Sequence, residues 1–296
     1  MISVLMATYN GERYIEQQLE SLINQTKKID NIIIGDDCST DETVSIIQEF
    51  IRKYDNIILY RNEINLGYTK NFFNLLQKIN SGLIFLCDQD DVWDLNKIEV
   101  MTSLLVKNEC MLLSSGYEIV DENLSLITRR KYDTLLKKVE LSSFLHNCDY
   151  PGMTFCFTCD LLNTEEFKNI KDAAFIHDFF LSLIAIKYQS MFIVNRCLVK
   201  YRQHNNNALG VGGIKRKLKK DWMDNLNIKK KEVELGLLVF PENPFLKKKE
   251  IFTIKRLKYF NEGNVIAIFL SLINYFMYYN IKSWLGDLMY SFQKKD

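Results

Sequence analysis

Short apolar runs alternate with amphipathic stretches through the first third of the chain. ISVLMA (2–7) precedes ERYIEQQLESLINQ (12–25), in which Ile15, Leu19, Leu22 and Ile23 recur at the spacing of one helical face. NIIIG (31–35) precedes a stretch opening at Thr40 or Asp41, with Val44, Ile47 and Ile51 on one side and an S/T-x-x-E-like helix start before them. NIILY (56–60) leads to a helix near 69–80, and LIFLC (83–87) to another near 95–107. Four strand-helix units in succession predict an α/β fold, a mainly parallel sheet with helices on both faces. After residue 110 the pattern loosens. MLLSSGYEIV (111–120) reads as a strand, ELSSFLHN (140–147) as a short helix and PGMTFCFT (151–158) as a turn and strand. HDFFLSLIAIKY (177–188) reads as a buried helix, and MFIVNRCLVKYRQH (191–204) as a long strand entering the polar loop NNNALGVGG.

Ligands of open α/β sheets bind outside the carboxyl ends of the strands. Those ends carry Thr8-Tyr9-Asn10, Asp36-Asp37 and Asp88-Gln89-Asp90-Asp91. Two carboxylates one residue apart can face a common space and offer hard oxygens to Mg²⁺ or Mn²⁺; an acidic turn in which Asp94 caps the next helix is the plainer reading. Asp37 can accept a hydrogen bond from a ring N–H of a base, while Ser39, Thr40 and Asp41 suit helix capping. Asp178, after His177, heads an apolar helix where the positive end of the helix dipole favours a carboxylate; it is either a general base or simply an N-terminal helix acid. His204 is either a metal ligand or an exposed polar residue.

Composition narrows the class. With 47% hydrophobic and 12% aromatic residues in 296, the chain can bury a sizeable core. Seven cysteines, an odd number without framework spacing, point to a reducing compartment, and Cys156 and Cys159 to two buried thiols, since no second Cys or His pair is spaced for zinc. No basic stretch precedes the first apolar run, which is expected to be a strand of a cytosolic protein. The net charge of +1 is unevenly spread: residues 211–296 hold 17 Lys/Arg against 9 Asp/Glu, and the first 210 hold 21 against 28. Gly210, Gly212 and Gly213, followed by IKRKLKK, mark a boundary, giving an α/β domain over 1–210 and a helical basic/apolar region over 211–296. In the latter, NVIAIFLSLINYFMYYNI (264–281) carries no charge. Its asparagines and terminal aromatics favour an interfacial helix on an anionic membrane surface over a spanning one; packing on the core, or a homodimer interface, is the alternative. The first strand turn reads ATYNGE, not G-x-G-x-x-G, against a nicotinamide dehydrogenase. Apolar runs interrupt the basic residues, against a nucleic-acid partner.

The ordered set MATYNGERYIEQQLESLINQT, GDDCSTDETV, NEINLGYTKNF, FLCDQDDVW, HDFFLSLIA and YRQHNNNALG resembles family 2 glycosyltransferases of the GT-A fold over residues 1–210. MATYNGE, DQDDVW, HDFF and YRQHNNN are most similar to bacterial rhamnosyltransferases that build cell-surface polysaccharides from dTDP-L-rhamnose. The resemblance implies a GT-A (Rossmann-like) catalytic domain. It implies inverting, metal-dependent transfer, with Mg²⁺ or Mn²⁺, from a nucleoside diphosphate sugar to a saccharide or lipid-linked saccharide, in the cytoplasm or at the inner face of the cytoplasmic membrane. It places Ala7, Thr8, Tyr9 and Asp37 around the base and ribose, and Lys70 near the pyrophosphate where many members have Arg. Asp88 and Asp90 match the outer positions of the Asp-x-Asp motif, with Asp90 the metal ligand and Asp88 beside the metal or ribose. Asp178 matches the catalytic base, and His204 a metal or pyrophosphate contact. Trp93, Gly152, Met153, Thr154 and His177 are candidate walls for sugar and acceptor, with core packing the other reading for Trp93 and the 151–154 turn. A UDP-linked donor, and a degenerate transferase that binds nucleotide sugar as a scaffold without turnover, are the competing expectations.

Overall fold

Successive β-strands at the start of the chain lie side by side because their apolar faces are covered on both sides. The computed structural model describes residues 1–131, 136–146, 150–170, 177–204, 218–262, 264–279, 284–285 and 287–288. In chain order the elements are β1 (Ile2–Thr8), α1 (Ile15–Ile23), β2 (Asn31–Asp36), α2 (Thr43–Lys53), β3 (Ile57–Arg61), α3 (Tyr68–Leu76), β4 (Leu83–Asp88), β5 (Val92–Trp93), α4 (Lys97–Lys107) and β6 (Leu112–Val120). There follow β7 (Leu126–Arg130), β8 (Leu136–Lys138), α5 (Leu141–His146), β9 (Phe155–Thr158), α6 (Glu165–Lys168), α7 (His177–Lys187), β10 (Met191–Arg202), α8 (Leu218–Val239), α9 (Pro244–Glu262), α10 (Val265–Leu270) and α11 (Leu272–Tyr278). The loop NNNALGVGG, the expected boundary near 210 and residues 214–217 of IKRKLKK lie outside the described residues.

The chain forms two compact units, Met1–Glu140 with Asp149–Val211, and Leu141–Cys148 with Gly212–Asp296. In the first unit the sheet order is β3-β2-β1-β4-β9-β6-β10-β5, with β7 on β6 and β8 on β10. The β3-β2-β1-β4 half is parallel throughout, as the three crossovers through α1, α2 and α3 require. β9 enters from a one-turn 3₁₀ segment (Gly152–Thr154) rather than a crossover helix, and runs antiparallel to both β4 and β6. Val4, Leu5 and Met6 are each 0% exposed, so β1 is buried on both faces, which explains its unbroken apolar run. Ile15, Leu19, Ile47, Ile98 and Met101 bring α1, α2 and α4 onto the same core. α2 begins at Thr43, later than the sequence pattern placed it, because Asp41 is committed to the loop: its carboxylate accepts from Thr43 N–H, Thr43 Oγ1 and Glu12 N–H. Cys156 and Cys159 are buried free thiols.

The second unit is helical. Phe252 packs with Ile268, Tyr275, Tyr278 and Tyr279, and Arg256 donates to both oxygens of the fully buried Asp287 at 2.9–3.1 Å. The run expected as one helix over 264–281 is two short ones, broken at Ser271, whose hydroxyl turns back to Ile268 O at 2.9 Å. Among the described residues no helix is long and apolar enough to cross a membrane.

Candidate active site

Polar groups collect at the carboxyl ends of β1, β2 and β4, and side chains, rather than further strands, tie those ends together. Gln89, between Asp88 and Asp90, accepts from Tyr9 N–H at 2.9 Å and donates to Tyr9 O at 3.0 Å, clamping the β4 end to the β1 end. Gly11 leaves the room: a Cβ there would lie 2.2 Å from Gln89 Oε1. Ala7 pairs in register with Asp88 on one side and Gly35 on the other. Asp36 is fully buried and accepts from Thr8 Oγ1 at 3.1 Å and Ser39 Oγ at 2.5 Å. Asp37 turns the opposite way. It accepts from Leu66 N–H at 2.8 Å, Gly67 N–H at 2.7 Å and Asn62 Nδ2 at 2.9 Å, and so holds the loop that starts α3. Gly67 stands at φ 82, a conformation that favours glycine. α3 then carries Tyr68, 39% exposed, and the exposed Lys70.

The four residues of DQDD have separate fates. Asp88 is half-buried, and its carboxyl is pushed up to about 7, first by burial and then by the charges of Asp90 and Asp178, with Lys97 opposing. Asp90 Oδ2 and His204 Nε2 are 2.8 Å apart. Asp91 is 0% exposed; it accepts from Arg202 N–H at 3.1 Å, and burial raises it well above the carboxylate range. Asp91 is thus an internal anchor of the turn. Arg202, missed in the sequence, is buried and donates to Asp90 O at 2.8 Å, Glu122 O at 2.5 Å and Gln17 Oε1 at 2.6 Å. Its guanidinium lies 4.6 Å from the Tyr14 ring, and the Tyr14 ring 4.8 Å from that of His204. Polar YRQH at the end of a strand was the only sequence signal for this clamp.

On the other side, α7 presents Asp178. Its Oδ1 accepts from Phe179 N–H at 2.7 Å and its Oδ2 from Gly152 N–H at 3.2 Å. A Cβ on Gly152 would sit 3.0 Å from His177 Nε2, 3.4 Å from Leu86 Cδ1 and 3.5 Å from Asp178 Cβ, so β4, the 3₁₀ turn and α7 meet at this glycine. Burial raises the Tyr68 phenol, with Thr69 opposing and the charges of Asp178 and Asp88 adding. His177 is 5% exposed and stacked on Phe72 at 4.3 Å.

Several candidate sugar or acceptor walls are core instead. Trp93 is 3% exposed, 5.8 Å from the Phe85 ring and beneath the ammonium of Lys97 at 3.4 Å. Met153 and Thr154 are buried; Lys97 Nζ donates to Met153 O at 2.5 Å, and the Thr154 hydroxyl meets Ser114 Oγ at 2.8 Å. These contacts brace the turn that supports Asp178. A cavity of about 720 Å³ opens at the opposite ends of the strands, lined by Ile2, Gly82, Leu83 and Thr158 among others, away from the acids.

Among the described residues no group of three or more His, Cys, Asp and Glu is arranged to hold a metal ion. The Asp90–His204 pair still fits one. Its carboxylate oxygen and imidazole nitrogen are ligand types that Mg²⁺ or Mn²⁺ would accept, and in this structure a 2.8 Å hydrogen bond joins them. The charges of Asp90 and Asp178 add to burial in raising Asp88, and a bound cation would oppose them.

The model for Glycosyl transferase family 2 matches residues 3–170. The dTDP-rhamnosyl transferase RfbG of Shigella flexneri is 34% identical over 250 residues, 79% of this chain and 78% of its own. The UDP-Glc:alpha-D-GlcNAc-diphosphoundecaprenol beta-1,3-glucosyltransferase WfgD of Escherichia coli is 27% identical, over 75% of this chain and 84% of its own. S. aureus TarS 1-349, crystallised in complex with UDP-GlcNAc, superposes with a TM-score of 0.59 at 18% identity, over 78% of this chain and 66% of that one. By its sequence and by the GT-A arrangement of its sheet, this chain belongs to glycosyl transferase family 2 and is a glycosyltransferase.

Proposed function

We propose that the chain transfers L-rhamnose from dTDP-L-rhamnose, with inversion, to a saccharide or lipid-linked saccharide acceptor of a cell-surface polysaccharide, working in the cytoplasm at the inner face of the membrane. The observation that carries the chemistry is the convergence of Asp88, Asp90–His204 and Asp178 at the carboxyl end of β4. The donor sugar rests on the 34% identity to a dTDP-rhamnosyl transferase.

Ala7, Thr8, Tyr9 and Asp37 line the base and ribose, and Lys70 approaches the pyrophosphate. Asp90 and His204 would hold a Mg²⁺ or Mn²⁺ ion, with Asp88 beside it; when bound, the ion offsets charge on the departing diphosphate. Asp178 accepts the proton of the acceptor hydroxyl. The hydroxyl oxygen bonds to the anomeric carbon as the bond from that carbon to the donor phosphate oxygen breaks on the opposite face. Each Asp178 oxygen accepts one backbone N–H and keeps capacity for the incoming proton. Gly152 N–H and the helix end fix the carboxylate in place before substrate arrives.

A second reading, the same chemistry with a UDP-linked sugar, is favoured by the likeness to WfgD, whose donor is UDP-Glc. Screening dTDP- and UDP-sugars in Mg²⁺ and in Mn²⁺, scoring donor hydrolysis as well as transfer, separates the two. Turnover of dTDP-L-rhamnose alone supports the first. Turnover of a UDP-sugar in its place supports the second, and donor binding without hydrolysis or transfer would leave only a scaffold.

A further inference from the structure

α10 and α11 expose a stripe that water does not favour. Ile266 is 71% exposed, Phe269 58%, Leu270 76%, Ile273 74%, Phe276 75% and Met277 52%, at the spacing of one helical face. Residues 264–281 carry no charge. The polar groups of α10 and its junction are satisfied locally: Asn264 Oδ1 accepts from Ala267 N–H at 3.0 Å and Ser271 donates to Ile268 O at 2.9 Å. The tyrosines of α11 that are buried, Tyr275 and Tyr278, face Phe252 of α9.

Beside the stripe runs a groove of about 190 Å³ between α9 and α11, lined by Lys248, Ile251, Phe252, Lys255, Tyr259, Asn274 and Tyr278. Lys248 and Lys255, both exposed, stand seven residues apart on one face of α9. Neither has an acidic partner among the described residues, whereas Lys247 and Lys258 pair with Glu242 and Glu262. Ile251 at 56% and Ile254 at 49% exposure extend the apolar surface onto α9.

We propose that α9, α10 and α11 form a docking surface for an anionic phospholipid bilayer, in which the α10–α11 stripe seats at the headgroup–acyl boundary and the Lys248–Lys255 groove takes a lipid phosphate. Two features favour lipid over a protein partner. A protein interface carries roughly one hydrogen bond per 100–200 Å², and the stripe presents large apolar side chains with no charge among them. Two cations with no acidic partner among the described residues, beside an uncharged apolar ridge, match the vertical order of a leaflet, phosphate outside and hydrocarbon inside. α10 and α11 have 6 and 7 residues, far fewer than the ~20 a crossing needs, so the surface lies on the membrane. The inference gives a location to the lipid-linked acceptor reading, on which its biological purpose rests, but it is tested without donor or acceptor.

Co-sedimentation of the full chain with vesicles of phosphatidylcholine, alone or mixed with phosphatidylglycerol, reads it directly. The expected result is binding to the mixed vesicles, weakened by salt, and little to the neutral ones. Lys248→Glu with Lys255→Glu should weaken it by roughly twenty-five-fold or more, at about fivefold per lysine lost. Leu270→Ser with Ile273→Ser should do likewise with an unchanged circular dichroism spectrum; should that variant misfold, the lysine pair, on the surface, still decides. Asp178→Asn should bind vesicles as the wild type does, so a failed transferase assignment and a failed docking surface give different results. Equal binding to both vesicles, binding to neither, or a dimer that Leu270→Ser with Ile273→Ser dissolves would overturn the proposal, the last in favour of a second copy of the chain.

Discussion

Asp178 is held by two backbone N–H groups from different elements, Phe179 of its own helix and Gly152 of the 3₁₀ turn, a geometry that fixes a base without neutralising it. Asp178→Asn keeps the size of the side chain and one of the two acceptor oxygens but cannot take the proton. A positioned base contributes ~10²–10⁴-fold, so kcat should fall by that factor while donor affinity, measured by titration calorimetry, holds. Asp90→Ala removes one of the two groups proposed to hold a cation; donor affinity should lose its dependence on Mg²⁺ or Mn²⁺, and EDTA should abolish transfer by the wild type. His177 behaves differently. Burial lowers its pKa from the ordinary 6.5, with the Asp178 charge opposing, and its Nδ1 has no hydrogen-bond partner among the described residues. The folded state therefore binds its proton less readily than the unfolded chain, and stability should decline as pH falls through about 6.5 toward the lowered value. Phe in its place keeps the stack on Phe72 and should flatten that acid-side slope, read as Tm at pH values on either side of 6.5.

Between elements, the decisive joint is Gly152. Adding a methyl there presses on His177 Nε2 at 3.0 Å, next to Asp178, so Gly152→Ala should shift the start of α7 and lower kcat more than it changes donor affinity, a split that steady-state kinetics with parallel binding measurements resolves. This joint was not legible in the sequence, whereas the strand ends it serves were. The periodicity of 2–107 predicts four strand-helix units in a mainly parallel sheet with the acids at its carboxyl edge, while the β3-β2-β1-β4 order comes from the structure alone. Periodicity says nothing of which strand a later segment will pair with or in which direction, so the antiparallel entry of β9 was hidden. Lys97 and Arg202 were hidden for a related reason. A cation next to an apolar stripe reads as solvated, and only tertiary contacts, Met153 O for one and Asp90 O and Glu122 O for the other, supply the partners that let it be buried. Asp36 and Asp37 show the same limit at closer range: adjacent positions of a strand end point to opposite sides, but which side holds Ser39 and which the 62–67 loop depends on the packed structure.

For the molecule as a whole, each of the two units carries its own buried polar anchor. In the catalytic unit the anchor is Arg202 with the DQDD turn. In the helical unit it is Arg256, 3% exposed, which bonds Asp287 at 2.9–3.1 Å, stacks on the rings of Tyr275 and Tyr279 at 4.8 and 4.3 Å, and shares Asp287 with the Tyr275 hydroxyl. Asp287 is raised by burial and brought back in part by Arg256. Arg256→Met keeps much of the volume and leaves that carboxyl without its cation. Removing one partner of a buried pair costs about 3–5 kcal/mol, because the remaining charge has lost its compensation without regaining water. The helical unit should then unfold at markedly lower urea, followed by far-ultraviolet circular dichroism. Every residue assigned to donor binding and to proton transfer lies in the other unit, so the affinity for the nucleotide sugar should be unchanged. A loss of donor affinity in parallel with the helical signal would show instead that the catalytic unit cannot hold its fold alone.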